Sequence, residues 1–319
     1  MIFSIAVLLA GLIGLIWSAD KFVYGSAAIA RNFGLPPLII GLTIVAMGSS
    51  APEIMVAVTA SLDGVGNTAI GNALGSNITN IALVLGVTVL LKPLVVHSQL
   101  LNRELPILLV VSAIAGYMLF DQVLTLAEGA ILLTLFFVTI GGLCWLTLND
   151  RNKDDRLVDE AQDEVPEGVS NKAAVLWILI GMVLLPVSSN FVVEGASDIA
   201  RYFGISDLVI GLTIIAIGTS LPELAACVAS IKNNEHDLAL GNIVGSNIFN
   251  ILAVLAMPAL ISPGVFDANA AGRDMYIMLG LTVLLFAMCW QLFGKRTITR
   301  IEGAILVAIF IAYQILLFS

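Results

Sequence analysis

Gly41–Glu53 reads GLTIVAMGSSAPE, and Gly211–Glu223 reads GLTIIAIGTSLPE. Nine of the thirteen positions are identical, at an offset of 170 residues. A second pair follows at the same offset: GNALGSNITN over Gly71–Asn80 and GNIVGSNIFN over Gly241–Asn250, with seven of ten identical. Ala30-Arg31 and Ala200-Arg201 also correspond, as do Arg103 and Arg273. The halves align without a gap from about residue 20 to about residue 110. Duplication alone accounts for similarity. It does not account for the closest matches lying on polar residues inside apolar runs.

Those runs decide the class. Hydrophobic residues make up 59% of the 319 and charged residues 12%, and the mean hydropathy is +1.02. Soluble domains are nearer 45–50% apolar and about 25% charged, so a soluble enzyme or a nucleic-acid binder is excluded. Crossing a ~30 Å hydrocarbon core takes roughly 20 apolar residues. Ten candidate spans lie near 2–19, 37–60, 67–91, 105–120, 124–148, 173–191, 208–231, 238–261, 275–293 and 301–318. Met1–Ala19 lacks the positive flank of a signal peptide and reads as the first span. With the N-terminus outside, twelve of the fourteen Lys and Arg fall in inside loops, among them Lys21, Arg31 and Arg103, and only Arg201 and Arg273 outside.

The net charge of −9 is mostly local. Residues 150–167 hold eight acids against three bases, which reads as a solvated cytoplasmic linker. Cys144, Cys227 and Cys289 are dispersed, and His97 and His236 stand near segment ends. Neither a disulfide framework nor a thiolate metal site is expected. The organisation is a first five-span repeat (1–148), an acidic linker (149–172) and a second repeat (173–319). Five spans is an odd number, so the second copy enters the membrane inverted. Inverted repeats characterise secondary transporters, whose site lies mid-membrane between the copies.

Glu53 and Glu223 are the acids set well inside a span. A charge at the bilayer centre costs about 2.5–3.5 kcal/mol on insertion scales, so such residues face a bundle interior or a cavity. Each follows a proline, Pro52 or Pro222. Proline has no N–H and clashes with the carbonyl four residues back, which frees carbonyls near Gly48 and Gly218. Ser49 and Ser50 lie four and three residues before Glu53 and share its helical face, as Thr219 and Ser220 do for Glu223. Asn72, Ser76 and Asn80 make a polar stripe in the third span, and Asn242, Ser246 and Asn250 repeat it in the eighth. Helix packing is the alternative use for such residues, and it is the expected one for the Gly71–Gly75 and Gly241–Gly245 spacings. Two carboxylates, hydroxyls, amide oxygens and freed carbonyls form an all-oxygen donor set. That set suits calcium, magnesium or manganese, with a flexible cage favouring calcium. Sodium ions or protons could also neutralise the pair.

GSSAPE and GTSLPE, followed by GSNITN and GSNIFN, resemble the two α-repeats of the cation/calcium antiporter superfamily, in its prokaryotic sodium/calcium exchanger branch. The likeness covers essentially the whole chain. It implies an all-α membrane protein of ten transmembrane helices, arranged as two inverted five-helix repeats. The second, third, seventh and eighth bind ions, and the first and sixth slide as gating helices, with loop residues such as Lys21 and Arg201. It implies Glu53 and Glu223 as the main calcium ligands. Ser49, Ser50, Thr219 and Ser220 would bind sodium or calcium, with the carbonyls of Ala46 and Ala216, and Ser76, Ser246, Asn80 and Asn250 would complete the sites. Some relatives carry aspartate where this chain has Asn250, and amides at both positions disfavour potassium co-transport. Animal members carry a large regulatory domain between the halves, and 150–172 is too short for one.

The expectation is therefore a calcium-for-sodium antiporter of a bacterial or archaeal inner membrane. It would have both termini outside and need no cofactor; its partners would be lipid and the two ions, and one chain would suffice. Proton-driven exchange on the same fold is the first alternative. A channel would more naturally ring identical subunits around a pore. An intramembrane hydrolase lacks a nucleophile–base pair or metal-binding histidines beside the glutamates.

Overall fold

The structure is a computed structural model that describes residues 1–97, 99–150, 169–204, 214, 216–290 and 296–317, with the side chains at 147–150 and 216 also outside the description. Nearly all of it is helical. Among the described residues eight helices are long and apolar enough to cross a membrane. A ninth span is a broken pair, Pro37–Ser49 and Ala51–Leu62, bent by 45°. The segment expected at 208–231 begins outside the described residues and emerges as Ala216–Gly218 followed by Leu221–Lys232. Most of the acidic linker, with Arg151, Lys153 and Arg156, and Lys295 farther along, also lies outside them. Ordinal numbers below follow the ten sequence segments.

Burial sorts the spans. The third (Gly66–Leu91) and eighth (His236–Ile261) are 72% and 89% buried, whereas the fifth and tenth are 22% and 17% buried. The first pair forms the centre and the second lies at the exposed periphery. The third and eighth run antiparallel, as bonds at both ends show. At one end the backbone N–H of Asp267 donates to Asn67 Oδ1 at 2.9 Å. At the other, His97 Nδ1 lies 2.6 Å from Asp237 Oδ1, and Lys92 Nζ donates to Asn234 Oδ1. Two short antiparallel ladders tie the loops: β1 (Leu94–Val95) with β4 (Thr297–Ile298), and β2 (Val123–Leu124) with β3 (Gly264–Val265).

The first and sixth spans correct the expected boundaries. They are unbroken 32-residue helices, Ile2–Phe33 and Asn171–Tyr202, not 2–19 and 173–191. At 1.5 Å per residue each is about 48 Å long. Lys21, Arg31 and Arg201 therefore lie on helices, not in loops. Polar residues do not end the first helix because they find partners within it and on the sixth. Lys21 Nζ sits 3.5 Å from Asp20 and over the rings of Tyr24 and Trp177. The two helices pack antiparallel through small residues. A methyl group at Gly25 would stand 2.7 Å from the Ala174 carbonyl, and one at Gly195 equally close to the Ser4 carbonyl. Gly11 and Gly181 make similar approaches, so the repeat reaches further back than residue 20. The pair shares a core with the start of the second span and parts of the seventh and eighth, separate from the larger core of the remaining spans.

The fourth and ninth spans start earlier than expected, at Leu100 and Ala270, each with a π-helical turn. Arg103 and Arg273 thus also lie in helices. The next residues, Glu104 and Asp274, are buried. Gln99 donates to Glu104, while Arg273 and Tyr313 hold Asp274.

Gly241 marks the crossing of the second and eighth spans. A methyl there would lie 2.5 Å from the Leu38 carbonyl and 3.0 Å from Gly41 Cα. Overpacking of this kind costs about 1–3 kcal/mol or more. Gly241→Val is expected to lower the thermal midpoint by several degrees or abolish monodisperse elution in detergent. Gly280→Ala, at an exposed helical position with no described neighbour within 4 Å, is expected to leave both unchanged.

Candidate ion-binding site

Both helix breaks have the same construction. In the second span the regular helix stops at Ser49, and Ser50 adopts φ −88° and ψ 11°. A new helix opens with Pro52 and Glu53 in its first turn. In the seventh, Ser220 adopts φ −92° and ψ 5°, and Pro222 and Glu223 open the next helix. Proline fits a first turn because the N–H it lacks has no intrahelical partner there. Each glutamate consequently sits at the positive end of a helix dipole. The break that proline imposes is what brings a carboxylate to a helix N-terminus inside an apolar bundle.

Glu53 and Glu223 are both 0% exposed, and neither has an ion-pair partner among the described residues. Ser50 Oγ donates to Glu223 Oε1 at 2.8 Å. Among the described residues, Glu223 Oε2 and both oxygens of Glu53 have no hydrogen-bond partner. The side chains of Asn80 and Asn250 are fully buried with every polar atom unpartnered, and Ser220 Oγ is unpartnered too. Native proteins leave few buried polar atoms unsatisfied. So many in one molecule, on the residues that the motifs single out, mark a place that water or a cation completes.

The geometry joins the two halves directly. Ser49 Oγ lies 3.1 Å from Asn242 Oδ1 and 3.5 Å from Ser246 Oγ. Ser50 reaches Glu223 on the seventh span. The third span enters through Asn72, whose Nδ2 donates to the Glu53 carbonyl at 3.2 Å, and Asn242 Nδ2 donates to the Glu223 carbonyl at 3.3 Å. The Ala46 carbonyl accepts from Ser50 N at 3.0 Å and from Ser49 Oγ at 3.3 Å. Ser76 and Ser246 are buried and Thr219 is half-buried at its break. Ala216 opens the short helix before that break. The amides Asn80 and Asn250 each begin a π-helical turn, and the Asn250 carbonyl accepts from Leu255 N, five residues on. Such turns favour functional positions.

The glycine spacing of the eighth span has the packing use expected of it. A methyl at Gly245 would stand 2.6 Å from the Leu42 carbonyl and 2.7 Å from Ala46 Cβ. No described atom comes within 4 Å of the same position at Gly71 or Gly75. Among the described residues no group of three or more His, Cys, Asp or Glu could hold a metal. The two buried carboxylates lie among neutral hydroxyl, amide and carbonyl groups.

The sequence did not point to three features. Ser189 Oγ donates to the Gly218 carbonyl at 2.6 Å, capping one of the carbonyls that proline frees. Its counterpart at the offset of 170 is Ala19, so the repeat carried no signal. Asn77 and Asn247 are buried with unpartnered amide atoms, although the repeated GSN did display them. The amide stripes showed Asn72 and Asn242 but not that they grip the backbone of the two glutamates.

A model of the family described as sodium/calcium exchanger protein matches residues 3–145 and 173–319. A protein named putative antiporter CaxA from Alkalimonas amylolytica is 54% identical over the full length of both chains. The inner membrane protein YrbG of Escherichia coli (strain K12) is 44% identical, covering 91% of this chain and 90% of its own. A solved structure of the sodium-calcium exchanger NCX_Mj superposes with a TM-score of 0.83 at 31% identity, covering 98% of each chain. Two gapless halves, two proline-broken spans and a buried pair of glutamates thus accompany a match over nearly the whole chain, and the protein belongs to the sodium/calcium exchanger family of membrane antiporters.

Proposed function

We propose that this antiporter exchanges calcium for sodium by alternating access. The observation that carries the reading is the pair of fully buried glutamates, each at a helix break and neither with an ion-pair partner among the described residues. One divalent ion balances two carboxylates. Sodium ions would use the same carboxylates with neighbouring hydroxyls and carbonyls. Ser50 supports the reading that a cation of either kind would rearrange the site. Its proton lies on Glu223 Oε1, so an ion that takes that oxygen must turn the hydroxyl and thereby present its lone pairs. The ligands are Glu53, Glu223, Ser49, Ser50, Thr219, Ser220, Ser76, Ser246, Asn80 and Asn250, with the carbonyls of Ala46 and Ala216.

The architecture we infer is ten helices in two inverted repeats, 1–148 and 173–319, joined by the acidic linker 149–172. The antiparallel third and eighth spans support it. The first and sixth spans are the sliding pair. They touch the breaks themselves: Phe22 packs on Gly48, and Val193 and Ser189 lie on Gly218. Residue 1, residue 319 and the outer ends face outside the inner membrane, the linker faces the cytoplasm, and one chain suffices in lipid.

Three outcomes are expected. Labelled calcium should enter proteoliposomes loaded with sodium and diluted into sodium-free buffer. A proton gradient alone should not drive it, and the reverse pattern would move the protein to calcium/proton exchange. Glu53→Gln and Glu223→Gln should each reduce this uptake to background while eluting as monodisperse protein; full transport by either removes the site. Asn250→Asp should change the dependence on sodium, potassium and protons by more than it changes expression, and an unchanged dependence would take Asn250 out of the ligand set.

A further inference from the structure

A hydroxyl ligates a cation only through its lone pairs, so its proton must rest on some other acceptor. In Ser49 that acceptor can be identified. Asn242 presents one end of its amide to the carbonyl of Glu223, at 3.3 Å, and to Cys227 Sγ, at 3.3 Å. A carbonyl only accepts, so this end is the NH₂. The amide oxygen is therefore the end facing Ser49, at 3.1 Å. An amide oxygen only accepts in turn, so the single Ser49 proton is directed to it. Of the competing acceptors, the Ala46 carbonyl is farther at 3.3 Å and already takes the Ser50 N–H, the Ser246 hydroxyl is farther still at 3.5 Å, and the Glu223 carboxylate already takes the Ser50 proton. Asn242 is 0% exposed, so the bond lies away from bulk water, where the low dielectric strengthens it.

We infer that Asn242 is a positioning residue of the ion site. It clamps the backbone of Glu223 with its NH₂ and holds the Ser49 proton on its oxygen, so that both Ser49 lone pairs stay available to a cation. It touches no ion itself. This rests on the exchange reading above and assigns a part to a residue outside the ligand set. Asn72 grips the Glu53 carbonyl in the same way at 3.2 Å. The eighth-span clamp has a third partner, since Cys227 stands where the first copy has Ala57. The two clamps are thus not equivalent, and Asn242 is the more firmly fixed.

The test is a double-mutant cycle on ion affinity. Wild type, Asn242→Leu, Ser49→Ala and the double variant are purified. Sodium and calcium are titrated against the thermal unfolding midpoint, which reports binding without transport. Labelled calcium uptake is measured in parallel proteoliposomes. Net hydrogen-bond contributions translate to about a three- to tenfold change in affinity. Asn242→Leu is expected to raise the half-saturating sodium concentration by that factor. In the Ser49→Ala background its effect is expected to shrink to the part carried by the clamp on the Glu223 carbonyl, because the proton it serves is gone. A change below twofold overturns the inference, as does an equal loss in both backgrounds, which is the signature of a merely structural amide. If Asn242→Leu does not elute as monodisperse protein, Asn242→Ala takes its place with the same two criteria. Failure of wild-type uptake would count against the exchange reading and leave the affinity cycle to decide on Asn242.

Discussion

Two carboxylates buried in an apolar bundle with no basic partner among the described residues are the constraint around which the chain is arranged. Burying an isolated charge is costly enough that it must be paired or neutralised. Here no lysine or arginine does it. Instead the chain supplies helix N-termini at Glu53 and Glu223, a hydroxyl on Glu223 Oε1, and amides that hold the backbone of both residues. All of these are neutral or partial charges. In the proposed reading the balance is left to a mobile cation, and that omission would distinguish a carrier's site from a structural ion pair. A fixed arginine would have filled the same space with a permanent counter-charge.

The helix breaks serve this purpose and explain the glycines around them. A proline-interrupted helix needs neighbours close enough to meet its freed backbone. Gly41, Gly241 and Gly245 bring the second and eighth spans to near backbone contact, and Ser189 closes on the Gly218 carbonyl. The central third and eighth spans, the most buried of the set, are fixed at both ends by side-chain bonds and short ladders. The first and sixth spans pack mainly on one another and within a separate core. A stiff centre beside a semi-independent pair is a division of labour that suits relative sliding.

Much of this was legible in the sequence, for identifiable reasons. Polar residues inside apolar runs are costly to insert, and their recurrence at a fixed offset ties both sets to one shared role. The length of the first and sixth helices was not legible. Asp20, Lys21 and Arg31 look like the end of a span, and only their partners, Tyr24 and Trp177 among them, reveal that the helix continues. The early starts of the fourth and ninth spans were hidden likewise, because Asn102-Arg103-Glu104 and Gly272-Arg273-Asp274 are polar and hydropathy cannot see that Gln99 and Tyr313 each donate to one of the acids. Periodicity also placed Asn72 and Asn242 on the right face without showing what they hold. Partners that lie nineteen residues away on another helix leave no trace in spacing.

The bond from Ser189 to the Gly218 carbonyl has no twin, since Ala19 occupies the matching place. A molecule assembled from two copies of one motif would, with strict symmetry, weigh its inward and outward postures equally. One hydroxyl present on a single side removes that degeneracy. Among the described residues the sixth span is bonded to its break through this hydroxyl and the first has no hydroxyl at the matching place, so in the proposed exchange cycle the two postures would differ in energy before any ion or voltage acts. Directional preference can then be written into a duplicated scaffold by one atom.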